Sequence, residues 1–460
     1  MKSKTLDTVT EESILTLSIV KWIVLASIIG AFVGGAITLF IKTIDLAMAF
    51  VHVMPYYYCL LPFVLVMTAG VTQSLSPDAQ GHGTEKVIRS IHKDQGKIRL
   101  RVVPVKLFTT ISTIVFGGSV GQEGPCAQIG AAMASGISRL FKFNTEDRKK
   151  LVICGVSAGF SAVFGTPIAG AIFSVEVLFM GKLLYSVLLP ALVSAMVSFQ
   201  IAQAMGLDYH NYLMSVSQVF DIKLLLLTVL SGLFFGLVSV LFIEVMSLVN
   251  KQIKSISILP SLKTFVSGLI IILIGYVFST DYLGLGIDVI DRSLSGQTII
   301  WYAFLIKIFV TSLTLGAGGS GGVLTPLFFI GSTAGVLFAD FFAVDRSMFA
   351  AFGFVSVLAG AANTPLAACV LAIELFGATI APYATIACVI SFFMSGYRSI
   401  FPSQVLSSDK TASIVMRQGE EVEGFTTHYN YKTRRLMARG RMSAKRLIKR
   451  QKSTLKSFFI

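Results

Sequence analysis

One carboxylate sits in the middle of a glycine-rich stretch, Gly117-Gly118-Ser119-Val120-Gly121-Gln122-Glu123-Gly124-Pro125, with apolar sequence on both sides. Glycines at such a point break a helix and let backbone N–H groups approach a small ligand with no side chain in the way. A half-helix that starts there presents unpaired N–H groups and the positive end of its dipole. Aimed into a cavity, such ends hold an anion without a full positive charge. Gly81-His82-Gly83 and Gly321-Gly322-Val323 have the same character. Together they predict an anion pathway lined by Gly81, His82 and Gly83, by Gly121 to Gly124, and by Gly321 to Val323. Tight helix packing is the competing explanation for glycine clusters. It accounts for one cluster more easily than for three.

Glu123 is the candidate gate. A carboxylate within so apolar a stretch is a functional candidate by default. At a helix N-terminus it can occupy the anion site itself, and its protonation or displacement then opens the path. A purely structural cap is the alternative. Glu176 and Glu374 also fall in apolar surroundings, late in their runs and near helix ends. Their matched positions favour a structural role through packing or hydrogen bonding.

These residues must be held by elements that composition identifies. The 460-residue chain is 54% hydrophobic and 13% charged, with a mean hydropathy of +0.78. Soluble domains carry about 25% charge, so an ordinary soluble globule and a disordered chain are both excluded. Apolar runs recur near 19–41, 56–71, 108–140, 151–179, 184–204, 224–249, 265–277, 299–315, 323–342, 348–376 and 380–393. They do not alternate as barrel strands do, so the chain is all-α and polytopic. Several runs are too short or too Gly-rich for clean ~20-residue spans. The stretch between Lys106 and Lys142 is 35 residues, too few for two full spans and a turn. Two short helices meeting at the 117–125 break inside the membrane solve this, and such backbone must be buried in protein or line a cavity.

The chain also repeats itself. Pro77 to Thr84 is echoed by Thr280 to Ile287, and the 117–125 break by Gly316 to Val323. Thr166-Pro167-Ile168-Ala169, with Glu176 nine residues after the proline, is echoed by Thr364-Pro365-Leu366-Ala367, with Glu374 nine after. Three pairs in order, at offsets of about 198 to 203, indicate duplicated halves with a transport site at their interface. The division expected is an N-terminal segment 1–18, a first membrane repeat 19–215, a second 216–407 and a basic tail 408–460.

The net charge of +14 is unevenly placed. Residues 431–460 hold eleven Lys/Arg and no Asp/Glu, and 86–106 hold seven Lys/Arg and one Asp. By the positive-inside rule these segments and 141–150 face the cytoplasm, as do both termini. The tail is expected to lie on anionic lipid headgroups. Nucleic-acid binding is the rival explanation of such a tail, and a juxtamembrane position makes it unnecessary. Residues 1–13 lack a signal-peptide pattern. The five cysteines have neither CxxC nor metal-ligand spacing and are expected to be small buried hydrophobes. No HExxH, nucleophile elbow, P-loop or paired metal-ligand motif is present, so neither a membrane enzyme nor a metal or other cofactor is expected.

At this point the motifs resemble a family. Gly121-Gln122-Glu123-Gly124-Pro125 is similar to the G-[R/K]-E-G-P motif of CLC chloride channels and transporters. Arg101-Val102-Val103-Pro104-Val105-Lys106 resembles the segment just before it. Gly319 to Pro326 resembles the family's G-G-x-F-x-P loop, and Ser399-Ile400-Phe401-Pro402-Ser403-Gln404 its last membrane helix. The resemblance covers about 19–408. It implies a homodimer with one anion pathway per subunit, two inverted repeats of tilted and broken helices, and Glu123 as the gating residue. The family's tandem regulatory domains have no counterpart after Ser408, which suggests a bacterial type in the inner (plasma) membrane.

Departures from the family pattern carry information. Its anion-coordinating Ser falls on His82, its coordinating Tyr on Phe401, the Phe of its G-G-x-F-x-P loop on Leu324, and the basic residue before the gate on Gln122. Two hydroxyl donors are thereby missing. His82 either replaces one through a ring N–H or only faces the vestibule. Antiporters of the family usually carry an inner proton-handling Glu directly after the residue matched by Glu176. Here that position is Val177, as in the family's channels. The function expected is passive, channel-like chloride conduction gated by Glu123. A chloride/proton antiporter, selectivity for fluoride or nitrate, and a transporter of organic solutes are the alternatives.

Overall fold

No proline or glycine interrupts residues 2–29, and the first helix, α1, runs unbroken over Lys2–Val51. It extends the 19–41 run at both ends because nothing in the flanking residues stops a helix. At 1.5 Å per residue its 50 residues reach ~75 Å, well beyond a ~30 Å hydrocarbon core. The computed structural model describes residues 2–209, 212, 214, 221–424 and 428–429. The basic segment 431–460 lies outside the described residues.

The first half continues with α2 (Leu61–Leu75), α3 (Gly83–Lys93), α4 (Val102–Val115), α5 (Glu123–Leu140), α6 (Thr145–Phe164), α7 (Pro167–Glu176) and α8 (Tyr185–Ala204). The second half matches it element by element. It comprises α9 (Ile222–Ser255), α10 (Pro260–Val277), α11 (Ile287–Leu294), α12 (Ala303–Gly316), α13 (Leu324–Phe342), α14 (Arg346–Ala362), α15 (Pro365–Phe376) and α16 (Ala381–Met394). Packing follows the same correspondence. α5 lies on α6 as α13 lies on α14, and α1 on α8 as α9 on α16. The two-repeat, all-α membrane architecture expected from the sequence is therefore the observed one.

Close approach of the paired helices depends on matched glycines. A Cβ on Gly130 of α5 would fall on the carbonyl of Gly155 in α6, and a Cβ on Gly331 of α13 on the carbonyl of Gly353 in α14. The reverse substitutions would clash in the same way. Small residues that let backbones meet are the usual device of membrane helices.

Among the described residues six helices are long and apolar enough to cross a membrane, and α4, α7, α12, α14, α15 and α16 are shorter apolar helices. Large apolar side chains such as Leu226, Leu230, Leu237 and Leu241 of α9 stand exposed along the outer surface, as a lipid-facing helix requires. The chain is an integral membrane protein.

The 108–140 run is broken where the glycines indicated, between α4 and α5. Two other runs are broken where none was expected. The 151–179 run divides at Gly165-Thr166 into α6 and α7, and the 348–376 run at Asn363-Thr364 into α14 and α15. Gly165 and Asn363 both take left-handed backbone angles, and Pro167 and Pro365 then open the next helix. Four cysteines are buried as expected, whereas Cys59 is exposed in the short turn before α2. Among the described residues, sheet is confined to the two-residue pairs β1 (Phe179–Met180) with β2 (Val405–Leu406), and β3 (Ile414–Val415) with β4 (His428–Tyr429).

Candidate functional site

Three helices begin at one place. α3 starts at Gly83, α5 at Glu123 and α13 at Leu324, and the loops before them are joined by backbone contacts. Gly121 N–H donates to the Gly322 carbonyl at 2.8 Å, and Gly322 N–H returns a bond to the Gly121 carbonyl at 2.5 Å. His82 forms a parallel bridge with Gly321. A Cβ on Gly124 would lie 2.9 Å from Gly322 Cα and 3.4 Å from Gly83 N, so all three starts meet only because glycine stands at each. The N-terminal ends of three dipoles thus converge, which favours negative charge between them.

Glu123 supplies such a charge. It is buried in the first turn of α5, and its carboxylate reaches across to the first turn of α13. Oε2 accepts from Thr325 N–H at 3.2 Å, and Oε1 accepts from the Thr325 hydroxyl. Gly121 makes room for this arrangement, since a Cβ there would press on Glu123 Oε2 and lie 2.7 Å from Thr325 Oγ1. The carboxylate thus takes up donors at a helix start that a small anion could use.

The remaining predicted residues fall around this point. Gln122 is the half-buried cap residue before α5, and Val323 the corresponding one before α13. Leu324 is buried as the first residue of α13. Phe401 is fully buried, its N–H donating to Ser399 Oγ at 3.0 Å. The rings of His82 and Phe401 stand 5.7 Å apart, and His82 Nδ1 is buried with no protein partner. Gly81 offers its carbonyl to a buried lysine described below.

Glu176 and Glu374 lie away from this junction. The Glu176 carboxylate accepts from Leu366 N–H (3.1 Å) and Ala367 N–H (2.8 Å) at the start of α15. Glu374 accepts from Ile168 N–H (3.0 Å) and Ala169 N–H (2.8 Å) at the start of α7. Each carboxylate caps the other repeat's half-helix, whose proline-led start leaves N–H groups unpaired. Val177 is buried in the apolar core, and its carbonyl accepts from Gln404 Nε2 at 2.8 Å.

Sequence reasoning missed several supports of the junction. Lys106 is fully buried in α4, and its Nζ donates to the carbonyls of Ala79 (3.1 Å) and Gly81 (2.5 Å), fixing the loop that leads into α3. Lys307, 201 residues later, does the same in α12 for Tyr282 (3.2 Å) and Gly284 (2.9 Å). Ser119 contacts Thr311 and Thr314, and Ser320 contacts Thr110 and Thr113 in the mirrored arrangement. The constant offset of 201 is the signal that would have found these residues. Thr325 has no such signal, being one more threonine at the start of an apolar run.

Comparisons with known proteins identify the family and the fold. The model of the voltage gated chloride channel family matches residues 63–396. A chloride/fluoride channel protein of Pseudomonas syringae pv. tomato is 36% identical over 401 residues, 85% of this chain and 88% of the relative. A solved CLC-type fluoride/proton antiporter is 31% identical with a TM-score of 0.80, covering 84% of this chain and 98% of that one. A slow cyanobacterial Cl−/H+ antiporter, at 18% identity, shares the fold with a TM-score of 0.71 over 81% of this chain and 94% of its own. With the matched region spanning most of the membrane part and two repeats folded in the same way, this chain belongs to the CLC, or voltage gated chloride channel, family.

Proposed function

We propose that the chain passes a small halide, chloride or fluoride, through the junction of α3, α5 and α13, with Glu123 as the gate. The observation that carries this reading is the Glu123 carboxylate on the Thr325 donors. A charged side chain at a helix start competes with a free anion for the same N–H groups. The relatives' names, one a chloride/fluoride channel and one a fluoride/proton antiporter, support this anion class. His82 lines the path beside Phe401 and offers a ring nitrogen in place of a hydroxyl.

The mode proposed is passive conduction. A proton route through the protein needs titratable groups or water between Glu123 and the inner solution. Val177 carries no proton, and both Glu176 oxygens are engaged by α15. Proton-coupled exchange is the second reading, favoured by the likeness to the fluoride/proton antiporter. The protein would work as a homodimer in a bacterial inner membrane, with its basic loops and both termini on the cytoplasmic side. Anion and proton fluxes recorded together from proteoliposomes test the mode. Passive conduction predicts anion flux with no proton uptake driven by an anion gradient. Uphill proton uptake at a fixed anion-to-proton ratio overturns it.

A further inference from the structure

Away from the junction, an open surface groove of about 1050 Å³ lies between α1, α5 and the loop leading into α4. It is as large as sites that hold drug-sized ligands (roughly 300–1,000 Å³). Its walls are apolar, with Phe32 of α1 and Leu140 and Phe141 at the end of α5 all exposed. Leu100 forms the floor, its side chain packed where Gly136 leaves no Cβ. Three arginines, Arg99, Arg101 and Arg139, line the same groove.

The charge is not spread evenly around the opening. Arg99 and Arg139 also line a second cavity of about 730 Å³, whose wall includes Lys86, Arg89, Lys93 and Lys97. Asp78 and Asp94 are the acidic residues of that wall, and Asp78 stands 3.8 Å from Arg99. Arg139 is held in place by its Nη2 donating to the Ile98 carbonyl at 3.1 Å. The apolar groove therefore opens at one end into a basic chamber.

Depth along α1 agrees with this polarity. Lys21 pairs with Asp147 in the first turn of α6 at 2.8 Å, toward the end of α1 that lies on the same side of the groove as its basic residues. Ile28 and Phe32 lie ~10 and ~16 Å further along α1 at 1.5 Å per residue.

The geometry points to a binding site for an anionic phospholipid of the leaflet on the basic face. Its acyl chains lie against Phe32, Leu100 and Ile137, and its phosphate is held by Arg99, Arg101 and Arg139. Charge complementarity selects this occupant over a zwitterionic lipid, because basic pockets between membrane helices attract anionic headgroups. Arginine's planar fork suits a phosphate.

Native mass spectrometry of the delipidated full-length protein in detergent, titrated with phosphatidylglycerol or phosphatidylcholine, tests the site. Phosphatidylglycerol should be retained preferentially. Retention should fall roughly tenfold or more in Arg99→Gln/Arg101→Gln, given the contribution of each basic group near an anionic headgroup. A groove-filling Ile137→Trp variant should also reduce retention while leaving the arginines in place. Inorganic phosphate at millimolar concentration should not displace the lipid. Gel filtration and anion flux identify variants that have lost the fold, and Arg101→Gln alone serves if the double variant has. Equal retention of the two lipids, unchanged retention in the folded arginine variants, or displacement by phosphate alone would overturn the site.

Discussion

Glu123 holds a pair of donors that belong to another helix, and this makes its role testable by single substitutions. Glu123→Gln keeps the shape and removes the charge, so competition with the anion is lost. Flux should then lose most of its dependence on pH, as measured by anion efflux from liposomes over a range of pH values. A folded mutant inactive toward every halide would return Glu123 to a structural role. Thr325→Val removes the hydroxyl that Glu123 accepts from while leaving the backbone N–H. Hydrogen bonds to charged groups contribute about 1.5–3 kcal/mol, so the gate should release more readily. Efflux at neutral pH is expected to rise severalfold. A fall in a folded mutant would contradict the arrangement. Of the site itself, the glycines and Glu123 were legible because a charged residue among glycines stands out in apolar sequence. Thr325 and Gln404 were not, since their roles depend on partners 202 and 227 residues away in the chain, and Lys106 shows only through its match with Lys307 at the repeat offset.

At the level of helices, the exchanged caps of α7 and α15 give a symmetry argument. Glu176 and Glu374 make the same two bonds to opposite repeats. Glu176→Gln and Glu374→Gln each replace an acceptor oxygen by an amide N–H facing a backbone N–H. Each should cost about 1–3 kcal/mol, the penalty for an unsatisfied buried donor. Thermal unfolding in detergent should drop by similar amounts in both. A variant of Glu176 that keeps its stability but changes proton movement would mark it as a proton carrier instead. Gly331→Ala should destabilise by about 1–3 kcal/mol through overpacking of α13 on α14, read as a lowered unfolding midpoint. The break before α5 was readable because glycines cluster there. Those before α7 and α15 were not, because each rests on one left-handed residue and a proline inside an otherwise continuous apolar run. The helical identity of the long runs followed from hydropathy alone, whereas the unbroken length of α1 depended on the absence of breakers outside its apolar part.

For the whole molecule, the duplicated halves explain why the junction exists at all. Each repeat contributes helix starts that would be unsatisfied alone, and the contact of Gly121 with Gly322 closes them on each other. Residues 431–460 carry eleven Lys/Arg and no acidic residue, and the proposed pathway is built from residues 81–83, 121–124, 321–325 and 401 alone. Truncation after Asn430 should therefore leave flux per folded protein unchanged while weakening association with anionic membranes, as measured in liposomes of varied headgroup charge. Loss of flux from a well-folded truncated protein would contradict that separation. The central claim is that Glu123 and the anion compete for one set of helix-end donors. Calorimetric titration of halide into purified wild-type protein and Glu123→Gln, repeated across pH, measures this competition directly. The wild type should bind more weakly as pH rises, and Glu123→Gln should bind tightly at every pH. Equal affinities with the same pH dependence in both proteins would contradict the account.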